Sequence, residues 1–200
     1  MASGTDFLFG DTLDPYPTAE VLVLGLGNCL IEDEGVGIAA IEYLMHHYDF
    51  PDEIELLDGG TSGMGLLDDL RNRENVIVLD AVRTGHKPGE LVVLKHEQVP
   101  AFFRSRVSPH QLALSDVLAV LTLTNEQPRK ISVIGVEPAS LKTRIGLSNV
   151  VHQQLKPMVE EVVLQCSEAG YIVTEKTNIS QKQEYNPLLI GSEMALRTDL

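Results

Sequence analysis

Three side chains of the types that bind metal ions follow predicted strands or begin a predicted helix in this 200-residue chain. Asp80 comes directly after the four apolar residues of "VIVLD", where a carboxylate is costly unless it is paired, hydrogen-bonded or bound to a cation. Glu34 begins the helix predicted after the first strand, and His110 lies in the first turn of a later helix. The dipole at a helix N-terminus favours an ionised carboxylate and a neutral imidazole, which is the form that binds metals.

Together, Glu34, Asp80 and His110 form a candidate metal site with two carboxylates, one imidazole and no thiolate. Such a set suits a borderline divalent cation and leaves positions open for water or for ligands from a partner. Ordinary roles compete with this interpretation, since Asp80 could cap a helix or form a buried salt bridge, and His110 could be a solvated residue at a helix start. No short spacing motif joins the three residues, so the site depends on the elements that position them.

The helix that carries His110 has a clear starting pattern in "SPHQLALSDVL". Ser108 fits the N-cap, Pro109 the first helical position and Gln111 the reciprocal position of a capping box. This pattern predicts that the helix presents His110 from its N-terminal end.

The elements around these residues predict a single α/β domain with a twisted, mostly parallel central sheet flanked by helices on both faces. In such sheets, ligands bind at the carboxyl ends of the strands, where Glu34 and Asp80 are expected. Residues 1–19 are interpreted as a leader that we expect to be poorly ordered, residues 20–176 as the domain and residues 177–200 as a tail. The predicted elements are, in order, strand 20–26, helix 34–48, strand 53–58, helix 61–72, strands 75–81 and 89–96, the His110 helix, strand 130–136 and helix 149–168.

The composition excludes several classes of function. Fifteen basic and 29 acidic residues give a formal net charge of −14, which argues against nucleic acid and anionic membranes as partners. No apolar run approaches the roughly 20 residues that a membrane-spanning helix needs. Two cysteines and the lack of a secretory signal pattern predict a cytoplasmic protein.

The stretch "VLGLGNCLIEDEGVG" resembles the first strand and glycine turn of a dinucleotide-binding domain. Leu30 replaces the third glycine of that pattern, and Glu32, Asp33 and Glu34 would repel a pyrophosphate. We therefore predict a cation near this turn, with Asp33 as the helix N-cap, Glu32 facing solvent and Glu34 turned inward.

A second acidic segment, "DGGTSG", follows the predicted strand that ends at Asp58. Gly59 and Gly60 allow a tight turn or a close backbone approach, and Thr61 is the predicted N-cap of the next helix. The segment therefore offers a carboxylate and exposed backbone where a peptide could bind.

Four motifs taken together resemble those of the hydrogenase maturation proteases. They are "VLGLGNCLIEDEGVG", "LLDGGTSGMGLLDDL", "VIVLDAV" and "SPHQLALSDVL", in the order and spacing of that family. The resemblance covers about residues 20–175 and is closest to the branch that serves uptake-type hydrogenases. It implies an α/β endopeptidase that removes the C-terminal extension of the [NiFe] hydrogenase large-subunit precursor.

The resemblance also implies roles for individual residues. It assigns nickel recognition to Glu34, Asp80 and His110, with the nickel carried by the precursor and not tightly held by the free enzyme. It associates the segment Asp58–Thr61 with cleavage or substrate handling, so Asp80 and Asp58 are the candidate catalytic carboxylates, in a metal-assisted or a carboxylate-driven reaction. Two alternatives stay open, a non-enzymatic nickel-binding chaperone module and a dinucleotide-dependent oxidoreductase.

Overall fold

The computed structural model describes residues 19–96, 98–99, 102 and 109–177, without the side chains of residues 109–113. Apart from Ala19 and Thr177, the predicted leader and tail lie outside these residues. Within this part of the chain, no helix is both long and apolar enough to span a membrane.

A five-stranded sheet in the order β3-β1-β4-β6-β5 forms the centre of the molecule. Neighbouring strands are parallel except β5, which runs antiparallel to β6, so the predicted mostly parallel α/β architecture is confirmed. A separate antiparallel pair joins β2 to β7. The strands are β1 (Val21–Leu26), β2 (Tyr48–Asp49), β3 (Ile54–Gly60), β4 (Asn75–Ala81), β5 (Leu91–Lys95), β6 (Lys130–Val136) and β7 (Thr174–Glu175).

Two of the predicted helices are shortened or interrupted in the structure. The segment predicted as helix 61–72 forms only a 3-10 turn, Gly63–Leu66, followed by one turn of α-helix, because its glycines disfavour a continuous helix. The predicted helix 149–168 is interrupted at residues 153–154, since the ring of Pro157 would collide with the Gln153 carbonyl in an unbroken helix. The α-helices are α1 (Val36–His47), α2 (Leu67–Leu70), α3 (Pro109–Thr124), α4 (Asn149–His152) and α5 (Leu155–Glu168).

Strand alternation divides the core into two apolar layers, one on each face of the sheet. Val21 and Val23 of β1 point towards α1 and α5, whereas Leu22, Leu24 and Leu26 point towards α3 and the α2 region. A residue's place in this alternation therefore determines which helices its side chain meets.

Helix α1 lies unusually close to the strands at its N-terminal end. A Cβ added to Gly37 would lie 2.2 Å from the Leu79 carbonyl oxygen and 2.4 Å from that of Leu26. Only glycine permits this approach, which brings the start of α1 against the carboxyl ends of β1 and β4.

We expect Gly37→Ala to lower the free energy of unfolding by about 1–3 kcal/mol, because the added methyl group meets rigid backbone. Gly65→Ala is the matched control, since its Cβ would meet nothing closer than the Ser62 Cβ at 3.6 Å. Chemical denaturation of both variants measures the difference. Equal stabilities would show that α1 can move away from the sheet at little cost.

Candidate active site

Asp80 lies at the carboxyl end of β4, the middle strand of the sheet. Its register partner is Gly135 of β6, and only 1% of its surface is exposed. Alternate residues of β4 face the same side of the sheet, so Asp80 shares a face with Val76 and Val78. Both valines belong to the layer covered by α3. The Asp80 carboxylate is therefore buried on the α3 face, at the edge where ligands bind in such sheets.

The N-terminus of α3 reaches the same edge. Its C-terminal end lies at the opposite edge, where Asn72 N–H donates to the Glu126 carbonyl over 2.7 Å shortly before β4 begins. Sixteen helical residues span about 24 Å, roughly the length of β4, so α3 returns its first turn to the carboxyl ends of the strands. His110 lies in that first turn, as predicted, whereas its side chain and the predicted N-cap Ser108 lie outside the described residues.

Glu34 lies in a 3-10 turn, Glu32–Gly35, which precedes α1 and packs against β4. Helix α1 begins at Val36, so the predicted helix start at Glu34 is wrong by two residues. The turn folds back tightly on β1, since a Cβ on Gly27 would lie only 1.8 Å from the Glu34 carbonyl oxygen. Half-buried Glu34 thus lies near the ends of β1 and β4, on the edge that also receives the start of α3.

The prediction that Asp33 caps α1 is wrong. Its fully buried carboxylate accepts hydrogen bonds from the N–H groups of Ala139, Ser140 and Ser148 over 2.7–2.8 Å. It also accepts one from the Ser148 hydroxyl over 2.9 Å. Asp33 therefore joins the first turn to the loop after β6, a role without a sequence signal because its partners are more than a hundred residues away.

The prediction that Glu32 faces solvent is also wrong. It is 5% exposed, and its φ of 31° lies in the left-handed region, which is uncommon for glutamate. Its N–H donates to the Arg144 carbonyl over 2.8 Å, and its carboxylate lies 3.5 Å from the Arg144 guanidinium. The pairing with Arg144 accounts for the burial of this second acid.

Backbone N–H groups in the first turn already have partners within the protein, so they do not form a cradle for phosphate. The donor and acceptor pairs are Asn28 to Glu34 O, Leu30 to Asn28 Oδ1, Ile31 to Asn28 O, Glu32 to Arg144 O, Asp33 to Ser140 O and Glu34 to Ile31 O. This pattern argues against the dinucleotide alternative, independently of the charges of the three acids.

Asp58 lies on the opposite face of the sheet from Asp80. It pairs with Gly25 of β1 and follows Ile54 and Leu56 in the alternation, which places it on the α1 face. It is two strands away from β4, about 10 Å between backbones. Asp58 and Asp80 therefore do not form the close carboxylate pair, about 3 Å apart, that shares a proton in aspartic proteases.

The segment Asp58–Thr61 ends β3 with an irregular turn. Asp58 Oδ1 accepts a hydrogen bond from Gly60 N–H over 2.9 Å, and Gly60 has a φ of 48°. A Cβ on buried Gly59 would lie 2.6 Å from Leu24 Cδ1, so this glycine permits a close approach to β1. The predicted N-cap role of Thr61 is wrong, because Ser62 directly precedes the 3-10 turn and makes no capping hydrogen bond.

Glu137, at the end of β6, supports the loop that follows Asp80. Its Oε2 accepts hydrogen bonds from the Thr84 N–H and hydroxyl, each over 2.6 Å, and from His86 N–H over 3.2 Å. Burial alone would raise its pKa, but the hydrogen bonds from Thr84, His86 and Gly85 outweigh it and lower the pKa of Glu137. Its strand-end position was visible in the sequence, whereas this structural role was not.

Cys29 is half-buried in the first turn and is not paired in a disulfide. Burial, with the negative charges of Asp58 and Glu42, raises the pKa of its thiol to about 11. The thiol is therefore protonated at neutral pH when no metal ion is bound to it. Among the described side chains, no group of three His, Cys, Asp or Glu residues could hold a metal ion, and the predicted trio includes His110, whose side chain is not among them.

Comparison with solved structures identifies the class of protein to which this α/β fold belongs. The solved structure of the hydrogenase maturating endopeptidase HybD from Escherichia coli superposes with a TM-score of 0.77 at 42% identity, over 78% of this chain and 98% of that one. A [NiFe] hydrogenase maturation protease HybD from Thermococcus kodakarensis superposes with a TM-score of 0.61 at 25% identity, over 73% and 98% of the two chains. The class is therefore that of α/β endopeptidases.

Sequence comparison identifies the family. The HycI family model, described as hydrogenase maturation protease, matches residues 38–165. The chain is 45% identical to the hydrogenase 2 maturation protease of Escherichia coli K12 over 151 residues, 75% of this chain and 92% of that one. It is 36% identical to the hydrogenase expression/formation protein HupM of Azotobacter chroococcum, over 88% and 86% of the chains. The chain belongs to the hydrogenase maturation protease family and is a hydrolase, which argues against the oxidoreductase and chaperone alternatives.

We expect Glu137→Gln to lower the free energy of unfolding by about 1–3 kcal/mol at neutral pH, because an amide accepts the loop's hydrogen bonds less strongly. The folded pKa of Glu137 lies below its unfolded value of about 4.3, so its stabilisation is present above that value and is lost as pH falls through the folded pKa. The stability difference from the wild type should therefore shrink in acid.

Denaturant titrations between pH 3 and 7 measure this difference, with exposed Glu160→Gln as the control. A Glu137→Gln penalty that is unchanged at the lowest pH would show that the carboxylate charge does not stabilise the loop.

Proposed function

We propose that this endopeptidase removes the C-terminal extension of the [NiFe] hydrogenase large-subunit precursor after nickel insertion. Glu34, Asp80 and His110 recognise the nickel, which belongs to the substrate. The reaction takes place in the cytoplasm, in keeping with two unpaired cysteines. Nucleic acid is not a partner, in keeping with the net charge of −14.

One observation carries the proposal. The buried Asp80 carboxylate points to the α3 face at the same sheet edge that receives the Glu34 turn and the first turn of α3. Ligands bind at the carboxyl ends of the strands in sheets of this kind, which supports a function for these residues at this edge. The names of the relatives connect the family with hydrogenase maturation, which supplies the class of substrate.

The donor chemistry suits nickel that arrives already bound. Two carboxylates and one imidazole bind a free divalent ion modestly and leave coordination positions open. Nickel held by precursor cysteines binds this weak site because the protein contacts raise its effective concentration. Precursor that lacks nickel docks without these bonds, so metal occupancy reports that the substrate is ready for cleavage.

Peptide cleavage requires a water molecule to attack the scissile carbonyl and the amine to leave with a proton. Asp80 has two carboxylate oxygens, so one can bind the nickel while the other takes a proton from the attacking water and passes it to the amine. Asp58, with Gly59, Gly60 and Thr61, handles the peptide from the β3 side. Asp58 is the second candidate base, acting through its own water because it does not pair with Asp80.

We expect the purified protein to release the C-terminal fragment from nickel-loaded precursor and not from nickel-free precursor. Mass spectrometry of the products identifies the fragment and the bond that is cut. If nickel-loaded precursor remains intact after incubation, the precursor is not a substrate of this protease. Binding of the precursor without release of a fragment would favour the chaperone alternative. Equal cutting of both forms would refute the recognition of nickel but not the cleavage of the precursor.

We expect Glu34→Gln, Asp80→Asn and His110→Ala each to reduce processing by about 100-fold or more, because each removes a nickel contact or the proton acceptor. Exposed Glu53→Gln, Asp52→Asn and His46→Ala are matched controls that make the same chemical changes away from the site.

Initial rates on nickel-loaded precursor measure the effect, and circular dichroism verifies the fold of each variant. Normal processing by any one of the three site variants would remove that residue from the site. Asp58→Asn, measured in parallel, tests the second candidate base.

A further inference from the structure

Exposed apolar and basic side chains lie together on two segments beside the Glu34 turn. Leu30 is 60% exposed, Leu141 41% and Ile145 43%, although large apolar side chains of this kind are usually buried. Lys142 and Arg144 lie between the last two, and residues 138–147 contain no acid. We call Leu30, Leu141, Lys142, Arg144 and Ile145 the docking patch.

The two segments that carry the docking patch are held together by their backbones. Ile31 and Arg144 form a parallel β-bridge, in which Arg144 N–H donates to the Leu30 carbonyl over 3.0 Å. Beyond this bridge, the Asp33 carboxylate holds the N–H groups of Ser140 and Ser148, which lie on either side of residues 141–147. The patch is therefore presented on a fixed backbone, which lowers the entropy cost of binding.

The charge of the patch is opposite in sign to the net charge of the chain. The chain carries a net charge of −14, whereas the exposed part of this loop carries two cations. The Arg144 guanidinium lies 3.5 Å from the buried Glu32 carboxylate, which neutralises part of its charge, and exposed Lys142 adds a second cation to the loop. A positive and apolar surface on an acidic protein is complementary to an acidic partner surface with apolar side chains.

The position of the patch identifies its partner. Leu30 lies four residues before Glu34, and Asp33 connects the Glu34 turn to the loop that carries the other patch residues. A folded protein that presents a metal ion to Glu34 must also cover the surface immediately beside it. We infer that the docking patch binds an acidic, partly apolar surface of the large-subunit precursor, next to its nickel.

This inference rests on the proposed function and adds a second determinant of specificity to it. The metal ligands sense whether nickel is present, whereas the docking patch senses which protein carries it. Contacts at the patch do not involve the metal, so they contribute equally to the binding of nickel-loaded and nickel-free precursor.

The test compares patch variants with site variants in two measurements. We expect the double variant Leu141→Ser/Ile145→Ser and the single variant Lys142→Glu each to raise KM for nickel-loaded precursor about tenfold with kcat unchanged. Each should weaken the binding of both precursor forms by the same factor, whereas Glu34→Gln should weaken only the nickel-loaded form. Added salt should weaken wild-type binding and change that of Lys142→Glu less.

Matched controls make the same chemical changes elsewhere. Leu123→Ser and Ile172→Ser replace apolar side chains that are 83% and 80% exposed, and Lys156→Glu reverses an exposed cation on α5. All three should bind and cut like the wild type. Thermal melts verify that the patch variants are folded, as expected for exposed positions.

The outcomes separate the two proposals. Wild-type values of KM and of both dissociation constants in folded patch variants would overturn the docking patch and leave the proposed function intact. A change in kcat alone, or binding that salt does not weaken, would also overturn the patch as an acidic docking site. If the wild type binds the precursor without cutting it, and the patch variants lose that binding, the patch stands and the proposed cleavage fails.

Discussion

The buried carboxylate of Asp33 is the interaction on which the active edge of this protein depends. Its four hydrogen bonds connect the turn after β1 to the loop between β6 and α4, which the β-bridge between Ile31 and Arg144 also joins. A buried charge without such donors would be strongly destabilising, so the turn and the loop stabilise each other. Glu34 on one side and the docking patch on the other take their positions from this contact.

The acids at the strand ends fall into two groups, those that support loops and those proposed to meet the substrate. Asp33 and Glu137 accept hydrogen bonds from buried N–H and hydroxyl donors, and each holds a loop in place. Glu34 and Asp80 lie where the start of α3 approaches the sheet, and they are the acids proposed to meet the substrate's nickel. The supporting acids therefore fix the backbone around the site that we propose to recognise the nickel of the substrate.

The sequence predicted the regular elements wherever local physics decides them. Strands Asn75–Ala81 and Lys130–Val136 agree residue for residue with the predicted strands, and α3 begins at Pro109 as the capping pattern indicates. Errors arose where a distant partner decides the outcome. Asp33 has the residue type of an N-cap, but donors from the loop after β6 bind it instead, and Arg144 draws Glu32 out of solvent.

By itself, the sequence determined the order of strands and helices, the acidic balance, the family motifs and the trio Glu34, Asp80 and His110 as candidates, because periodicity, capping and residue type are local properties. The tertiary structure decided which acids are consumed by hydrogen bonds, since their donors come from remote loops. It also placed Asp58 and Asp80 on opposite faces of the sheet, which depends on strand order and register. Neither property can be obtained from one strand alone, because each is created only when the strands pair and the loops close over their ends.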